Sequence, residues 1–562
     1  YLLSQFFSSG MVSEQIAVEG KTFGLELRFK RLGKSYNIEL LDVRKDDYAG
    51  TSMARNYSSE VRLTDPSRGV EFETRIWMNN PLRYAGETFY QSGYNVDGRG
   101  NETSTLQVVK NTGWMIPYVS CMIAATGMLA HFCILLLRFL RRIQTDTPRE
   151  SKNGVPSIDP ATRLPAIVRW GVPSVVLLLG IGWVAMKANP PTRPHAQMDV
   201  ERFGTIPVMF EGRVKPMDTM ARNSLRILSN RETFVDAAGE RQPAISWMLD
   251  VIARPEESEK HRVFRIDSLD VLATFGLERR KGFRYSWEEL RTGAMEFQKQ
   301  VSMAQQKAPA ERTFLQRKIM ELSQRIRRYR VLADSFRPLP FPAFPDKEAI
   351  DKDRQKAVEM VTAIGRLVKQ VPSTNQMLAS MQPPLAAPVG PADQPWVAYA
   401  AAKNTTFAEQ YRSKTETAPA LAKLDKVLDA YGSREAIAFN VAVDDYLSFV
   451  ASNPPAGYEP KITSFESYIN HLAPFFNLIP LYAVALLITI VGWLGAVWPR
   501  LARLMRNSAF WLIVLALVVH TLALCARVAI SGRPPVTNLY SSAVFVGWGC
   551  VLIGLFIEVV FR

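Results

Sequence analysis

The stretch AFWLIVLALVVHTLALCARVAI, residues 509–530, decides the class of fold. A helix needs roughly 20 mostly apolar residues to cross a bilayer core of about 30 Å, and this stretch has that length. Arg527 is its only formally charged side chain. Four further stretches have the same character, at residues 114–137, 170–188, 479–498 and 543–561. The sequence therefore predicts an α-helical multi-pass membrane protein.

Two short loops between the predicted helices are rich in positive charge. The loop after the first helix carries Arg138, Arg141, Arg142, Arg149, Lys152 and Arg163, and the loop after the third carries Arg500, Arg503 and Arg506. Lysine and arginine concentrate in the cytoplasmic loops of membrane proteins. We therefore expect a protein of the inner cell membrane whose residues 1–113, 189–474 and 531–542 face the periplasm or the outside.

The polar segments predict two kinds of extracytoplasmic domain. GLELRFKRL (24–32) and SYNIELLDV (35–43) alternate apolar and polar residues as half-buried strands do. The long segment after the second helix has helical patterns instead. The predicted order is a β-rich domain (1–112), a membrane helix (113–138), a cytoplasmic loop (139–168), a membrane helix (169–188), a mainly helical domain (189–474) and a membrane domain (475–562) with helices at 479–498, 509–530 and 543–561.

Helical periodicity is clearest in RTFLQRKIMELSQRIRRYRVLADSF, residues 312–336. Apolar side chains recur at the spacing of one helix face, at Phe314, Leu315, Ile319, Leu322, Ile326 and Tyr329. The other face carries Arg325, Arg327, Arg328 and Arg330, which either bind an anion or lie in solvent, with the solvated face favoured. Further along, QPPLAAPVGPADQP (382–395) has the composition of a Pro-rich linker.

Composition excludes several classes of protein. The net charge is +15, but much of the basic excess lies beside apolar helices, so membrane topology explains it and we expect no nucleic-acid partner. The four cysteines lie in apolar segments and form neither CxxC nor CxxCH, which argues against a thiol oxidoreductase and against a cytochrome c. The sequence also has no Walker loop, GxSxG or HExxH motif.

Two stretches resemble families of cytochrome c assembly proteins. MNNPLRYAGETFYQSGY (78–94) resembles the end of the extracytoplasmic domain of the ResB family. HTLALCARVAISGRPPVTNLYSSAVFVGWG (520–549) is similar to the CcsA (ResC) family, and GTIPVMFEGRVKPMDTMARNSLRIL (204–228) resembles an extracytoplasmic stretch of some of its members. The order of the two regions is that of the fused CcsBA-type System II cytochrome c synthases. The resemblance thus makes residues 1–112 ResB-like and residues 475–562 CcsA-like.

The resemblance implies a function in cytochrome c biogenesis. The family delivers haem across the membrane and supports its covalent attachment to the CxxCH motifs of apocytochrome c. The implied partners are haem b as substrate, apocytochrome c, a thiol-reducing thioredoxin-like protein and the lipid bilayer. The family's Trp-rich WWD segment and its flanking histidines are absent from this sequence. We therefore expect the chain to be truncated at both ends, with the family's own haem ligands outside it.

Two histidines and one arginine are candidate haem contacts. His131 and His520 lie inside apolar segments, where a polar group is costly and often functional. Each either contacts haem or makes a hydrogen bond to a neighbouring helix. Arg527 lies two helical turns after His520 and either meets a haem propionate or reaches toward lipid headgroups. His195, His261 and His471 are predicted to be surface or loop residues. No catalytic residue and no metal site is predicted.

Three functions compete at this point. The first is a haem-handling synthase, the second is a non-catalytic membrane scaffold that binds apocytochrome or a thiol-reducing partner, and the third is a transporter of another ligand. Haem that purifies with the intact protein favours the first. Apocytochrome binding without haem favours the second.

Overall fold

A computed structural model describes residues 14–18, 21–25, 33–47, 54–78, 80–96, 102–110, 113, 115–145, 165–189, 196–342, 354–390, 396–412 and 416–561. The chain divides into two compact units. The first unit holds residues 1–47 and 53–149, and the second holds residues 48–52 and 150–562.

The first unit contains eight described strands and one long helix. The strands are β1 (Glu14–Val18), β2 (Lys21–Leu25), β3 (Asn37–Asp47), β4 (Ala54–Asp65), β5 (Val70–Trp77), β6 (Leu82–Tyr84), β7 (Glu87–Val96) and β8 (Glu102–Lys110). Strands β1 and β2 form a hairpin, and the others form two antiparallel sheets in the orders β3-β4-β5 and β6-β7-β8. Helix α1 (Ile116–Thr145) follows them.

Alternation of side chains builds the core between the two three-stranded sheets. On β4, Val61 and Leu63 are almost fully buried, while the residues between and beside them are more exposed. They share one core with Tyr36, Ile76, Leu82 and Phe89. Successive residues of a strand point to opposite faces of the sheet, which is why a period of two fills one core. The prediction of a β-rich N-terminal region is confirmed, although residues 26–32 of the strand predicted at 24–32 lie outside the described residues.

The second unit is mainly helical. Its helices are α2 (Ala166–Ala188), α3 (Val200–Gly204), α4 (Met217–Ser229), α5 (Ala244–Ala253), α6 (Pro255–Ser258), α7 (Leu269–Thr274), α8 (Trp287–Arg291), α9 (Ala294–Gln305), α10 (Phe314–Phe336), α11 (Arg354–Ser380), α12 (Tyr399–Arg412), α13 (Pro419–Gly432), α14 (Ala436–Ser452), α15 (Pro460–Leu472), α16 (Pro474–Leu494), α17 (Pro499–Ser531) and α18 (Leu539–Phe561). Its short hairpins are β9 (Pro207–Phe210) with β10 (Arg213–Pro216), β11 (Thr233–Val235) with β12 (Arg241–Pro243), and β13 (Phe264–Arg265) with β14 (Arg284–Tyr285).

We call residues 196–472 the inserted domain, because they lie between helices α2 and α16. Most of the buried apolar residues described there form one large hydrophobic core, and two smaller clusters lie around α11 and α12. Helix α10 begins at a capping box formed by Thr313 and Gln316, and it buries Ile319, Leu322 and Tyr329 on the apolar face that the sequence predicts. Of its basic face, Arg325 and Arg328 are engaged within the protein. Arg328 donates to Glu211 at 2.8 Å, and Arg325 donates to the backbone oxygen of Arg265 at 2.6 Å.

The Pro-rich segment was predicted to be a linker, and its described part is packed instead. Leu385 pairs with Met209 through two backbone hydrogen bonds of 2.9 and 3.0 Å. Ala386 and Ala387 are fully buried. Small side chains let this backbone approach the hairpin β9–β10 closely, so the segment adds to the core. The amino-acid composition of a segment does not reveal such long-range pairing. Residues 391–395 of the segment lie outside the described residues.

Five helical segments of the described chain are long and apolar enough to cross a membrane, which confirms that prediction. They are Ile116–Arg138, Ile167–Ala188, Pro460–Leu494, Pro499–Ser531 and Leu539–Val560. Helices α16 and α17 pack closely, because a Cβ atom at Gly492 would lie 2.9 Å from the Cβ of Met505. On α2, a Cβ atom at Gly180 would lie 2.8 Å from Cδ1 of Leu512 on α17. Small residues at these crossings let the helices approach each other.

A buried ionic network holds α15, the last helix of the inserted domain, against the rest of that domain. Glu466 on α15 accepts two hydrogen bonds from Arg213, at 2.6 and 2.7 Å, and a third from Thr219 at 2.8 Å. Asn470, one turn later, donates to Thr219 at 2.7 Å. Both Glu466 and Thr219 are buried. The network therefore fixes the last helix of the domain against β10 and α4.

A second carboxylate extends this network. Asp218 accepts a hydrogen bond from Arg222 at 2.7 Å and is buried. Burial raises the pKa of the Asp218 carboxyl, and the charge and hydrogen bond of Arg222 oppose that rise. Arg222 also donates to Glu232 at 3.1 Å. The charges of α4 are thus compensated locally.

The junction between the inserted domain and the membrane helices is a sharp corner. Ala473 has a φ of 42°, in the left-handed region, between the end of α15 and Pro474 at the start of α16. Asn477 donates to the backbone oxygen of Leu472 at 2.6 Å across this corner. The corner sets the direction in which α16 leaves the domain.

Candidate functional site

His520 is a buried polar side chain among the described membrane helices. It lies on α17 and is only 7% exposed. Its Nδ1 lies 3.2 Å from the hydroxyl of Tyr482 on α16, and the ring of Phe475 lies edge-on with its centroid 5.7 Å away. Two residues of α16 that are two turns apart therefore hold the imidazole in place.

The second ring nitrogen of His520, Nε2, is the other notable feature of this site. Nε2 is buried and has no hydrogen-bond partner among the residues that the structure describes. A neutral imidazole carries one donor and one acceptor nitrogen, and a buried polar atom without a partner costs free energy. This nitrogen is thus chemically available to a ligand or a water molecule, and an imidazole nitrogen of this kind can bind haem iron.

Arg527 lies two turns beyond His520 and is held by the next helix. Its Nη2 donates to the hydroxyl of Ser541 at 2.6 Å, and its guanidinium lies 5.6 Å from the ring centroid of Tyr540. Asn538 accepts a hydrogen bond from the backbone N–H of Ser541 at 2.8 Å and so caps α18. The sequence predicted that His520 and Arg527 share one face, but it did not identify these partners.

His131 belongs to the first unit. It lies on α1 with an exposed side chain, and the ring of its neighbour Phe132 is 6.0 Å away between centroids. Its role as a haem contact stays a prediction, as do those of His520 and Arg527. His195 lies outside the described residues.

A cavity of about 830 Å³ lies between α16, α17 and α18. We call it the arginine groove, because Arg503 and Arg506 line one end of it. Its other lining residues are Tyr482, Ala485, Leu486, Thr489, Gly492, Trp493, Pro499, Ala502, Ala509, Phe510, Ile513, Val551, Gly554, Leu555 and Glu558. Tyr482 lines this groove and also contacts His520, so the buried imidazole adjoins the groove through one hydroxyl group.

Sequence reasoning missed the arginine groove. It used Arg503 and Arg506 only as markers of a cytoplasmic loop. Their spacing of three residues puts them on neighbouring positions of one helix face, and Glu558 is the only acidic residue of the last apolar stretch. The arginine pair on one predicted helix and the glutamate on the next were the features of the sequence that could have indicated the groove.

His261 was predicted to lie at the surface, and that prediction is wrong. It is 8% exposed, and its Nε2 lies 2.8 Å from Oδ2 of Asp250. Tyr431 donates to the other oxygen of Asp250 at 2.9 Å, and the ring of Phe234 covers the imidazole. These partners lie on other helices and strands, so the polar local sequence around His261 did not predict its burial. His471, by contrast, is at least partly exposed and contacts the backbone oxygen of Asn189.

The chain is similar to a known protein family and to a known protein. Residues 7–105 match the model of the ResB-like family. This stretch contains residues 78–94, so the ResB part of the predicted resemblance is supported. The chain is also similar to Protein NrfI of Wolinella succinogenes, with 21% identity over 510 residues, which is 90% of this chain and 49% of that protein. The chain spans about half the length of this curated relative. The CcsA part of the resemblance and the fusion stay predictions.

Proposed function

We propose that this protein takes part in cytochrome c biogenesis, by delivering haem across the membrane and supporting its covalent attachment to apocytochrome c. The observation that carries the proposal is the ResB-like match of residues 7–105. The likeness to NrfI over most of the chain supports it further. His520, with its unpaired buried nitrogen among the membrane helices, gives the chain a group suited to haem.

The chemistry of haem fits side chains of the described membrane helices. Haem has an apolar ring, an iron atom and two carboxylates. Packed helices can bury the ring, an imidazole nitrogen can bind the iron, and arginine binds carboxylates through charge-assisted hydrogen bonds. His520 and Arg527 offer the second and third of these functions on one face of α17. Apocytochrome c and a thiol-reducing thioredoxin-like protein are the proposed partners on the outer side.

Haem retention tests this proposal. We expect the intact native protein to purify with haem, and His520→Ala to contain less haem per folded protein if Nε2 binds the iron. Added imidazole should then restore part of the haem, because it replaces the missing ligand. The measurement is the haem absorption spectrum divided by the amount of folded protein, and His471→Ala is the matched control outside the membrane.

Two other outcomes are informative. Unchanged haem in well-folded His520→Ala would show that the histidine only contacts Tyr482, and such membrane hydrogen bonds contribute about 0.6 kcal/mol on average. Apocytochrome binding by a native protein that never carries haem would contradict haem delivery and favour the scaffold function.

The proposed orientation has its own test. We expect a cysteine at Ser302, which is exposed on α9, to react in intact cells with a membrane-impermeant thiol reagent, because the inserted domain faces outward. The background should carry serine in place of Cys121, Cys133, Cys525 and Cys550. A cysteine at Ser151, in the predicted cytoplasmic loop between the first two membrane helices, is the matched control. It should stay unlabelled until the cells are opened. Protection at Ser302 with labelling at Ser151 would reverse the topology.

A further inference from the structure

The arginine groove combines an apolar body with a positive end. Trp493, Phe510 and Leu555 contribute apolar lining from three different helices, and the two arginines lie at the start of α17. A volume of about 830 Å³ lies within the usual range of sites for small organic ligands. The groove therefore suits a ligand that is apolar over most of its surface and anionic at one end.

The charges at that end are only partly compensated. The Nε of Arg506 lies 3.7 Å from Oε1 of Glu558 on α18, whereas Arg503 has no ion pair with the residues that the structure describes. An arginine has five N–H donors, so Arg506 can keep its contact with Glu558 and bind a further carboxylate. Two arginines one helical turn apart thus offer positions for two separate carboxylates.

The aromatic side chains that line the groove favour a flat ligand. Tyr482, Trp493 and Phe510 line the groove. Flat rings pack favourably on aromatic side chains in offset or edge-on arrangements. The combination of aromatic walls and two arginines favours a flat dicarboxylate over a phospholipid, whose single phosphate needs one cationic position and whose acyl chains have no flat face.

We propose that the arginine groove is a binding site for haem at the end of the membrane helices where α17 begins, with the two propionates at Arg503 and Arg506. The inference rests on the proposed function for the identity of the ligand. The hydroxyl of Tyr482 links the groove to His520, so a ligand in the groove lies next to the buried imidazole. The groove then holds haem before any histidine binds its iron.

Metal-free protoporphyrin IX is the probe that isolates this site, because it has both carboxylates but no iron for a histidine. We expect the purified full chain in detergent to bind it, as measured by porphyrin fluorescence. The dimethyl ester, which lacks the negative charges, should bind at least about tenfold more weakly, since it loses the charge-assisted hydrogen bonds to the two arginines. The same loss is expected for Arg503→Gln, and Arg503→Lys should retain part of the affinity.

Two further variants separate the groove from general effects of charge and folding. Arg500→Gln removes one positive charge from the same helix end but does not line the groove, so it should bind protoporphyrin as the native chain does. Gly554→Leu should fill the groove, because a Cβ atom at Gly554 meets no atom within 4 Å and the leucine has space to extend. We expect it to abolish binding while thermal stability is retained.

Equal binding of protoporphyrin and its dimethyl ester, or unchanged binding in Arg503→Gln, would overturn the inference. Displacement of the porphyrin by phosphatidylglycerol, at the mole fractions at which this lipid occurs in membranes, would also overturn the inference. It would make the groove a lipid site. These results are separate from the proposed function. If holocytochrome c requires the protein but Arg503→Gln binds protoporphyrin normally, the function stands and the groove assignment fails. If the protein is not required for holocytochrome c, the function fails whatever the groove binds.

Discussion

Deletion of the gene for this chain is expected to abolish holocytochrome c in its native host, while the apocytochrome is still made and exported. The reason is that thioether formation needs haem on the outer side of the membrane, and we propose that this protein delivers it there. The measurement is a haem-stained gel of membrane and periplasmic fractions together with an immunoblot for the apocytochrome. The ResB-like match of residues 7–105 motivates the experiment.

The control is the same gene supplied from a plasmid, which should restore holocytochrome c. Normal amounts of holocytochrome c in the deletion strain would contradict the proposed function. Loss of both the apocytochrome and the holocytochrome would place the defect in synthesis or export rather than in haem attachment, and would also contradict it.

Replacement of Glu466 by alanine is expected to lower the free energy of unfolding of the inserted domain by about 3 kcal/mol. Removal of one partner from a buried ion pair leaves the other charge uncompensated, which typically costs 3–5 kcal/mol. The lower end applies here because the side chain of Arg213 is 34% exposed, so water can solvate part of the abandoned charge. Thr219 and Asn470 also lose their ordered arrangement.

Chemical denaturation of the purified chain, followed by tryptophan fluorescence, measures this loss, because Trp247 is fully buried in the core of the domain. Glu459→Ala is the matched control, since it removes a carboxylate from an exposed position at the start of the same helix. Its effect should stay within about 0.5 kcal/mol. A loss below 1 kcal/mol in Glu466→Ala would show that the ionic network is not needed for stability.

The sequence predicted the elements whose pattern is local. An apolar stretch such as 509–530 identifies a membrane helix without any knowledge of its neighbours, and alternation in β4 is enough to indicate a half-buried strand. What it could not predict depends on contacts between different helices, strands and loops. The buried position of His261 is set by Asp250 and Phe234, and the packing of Leu385 depends on Met209.

The same division holds at the candidate site. Helical periodicity placed His520 and Arg527 on one face of α17. Their surroundings come from other helices, with Tyr482 from α16 and Ser541 from α18. The arginine groove needs three helices to be assembled before its residues share one cavity, so no single stretch of sequence reveals it.

The two ends of the inserted domain lie close together, where α2 leads into it and α16 follows it. His471, near the end of α15, contacts the backbone oxygen of Asn189, and Trp183 of α2 donates to the backbone oxygen of Asn477 on α16 at 3.3 Å. Domains whose two ends lie close together can be acquired, exchanged or lost with little disturbance to the host structure. Evolution could therefore vary the size of this domain, or replace it by a short loop, without moving α2 or α16 in the bilayer.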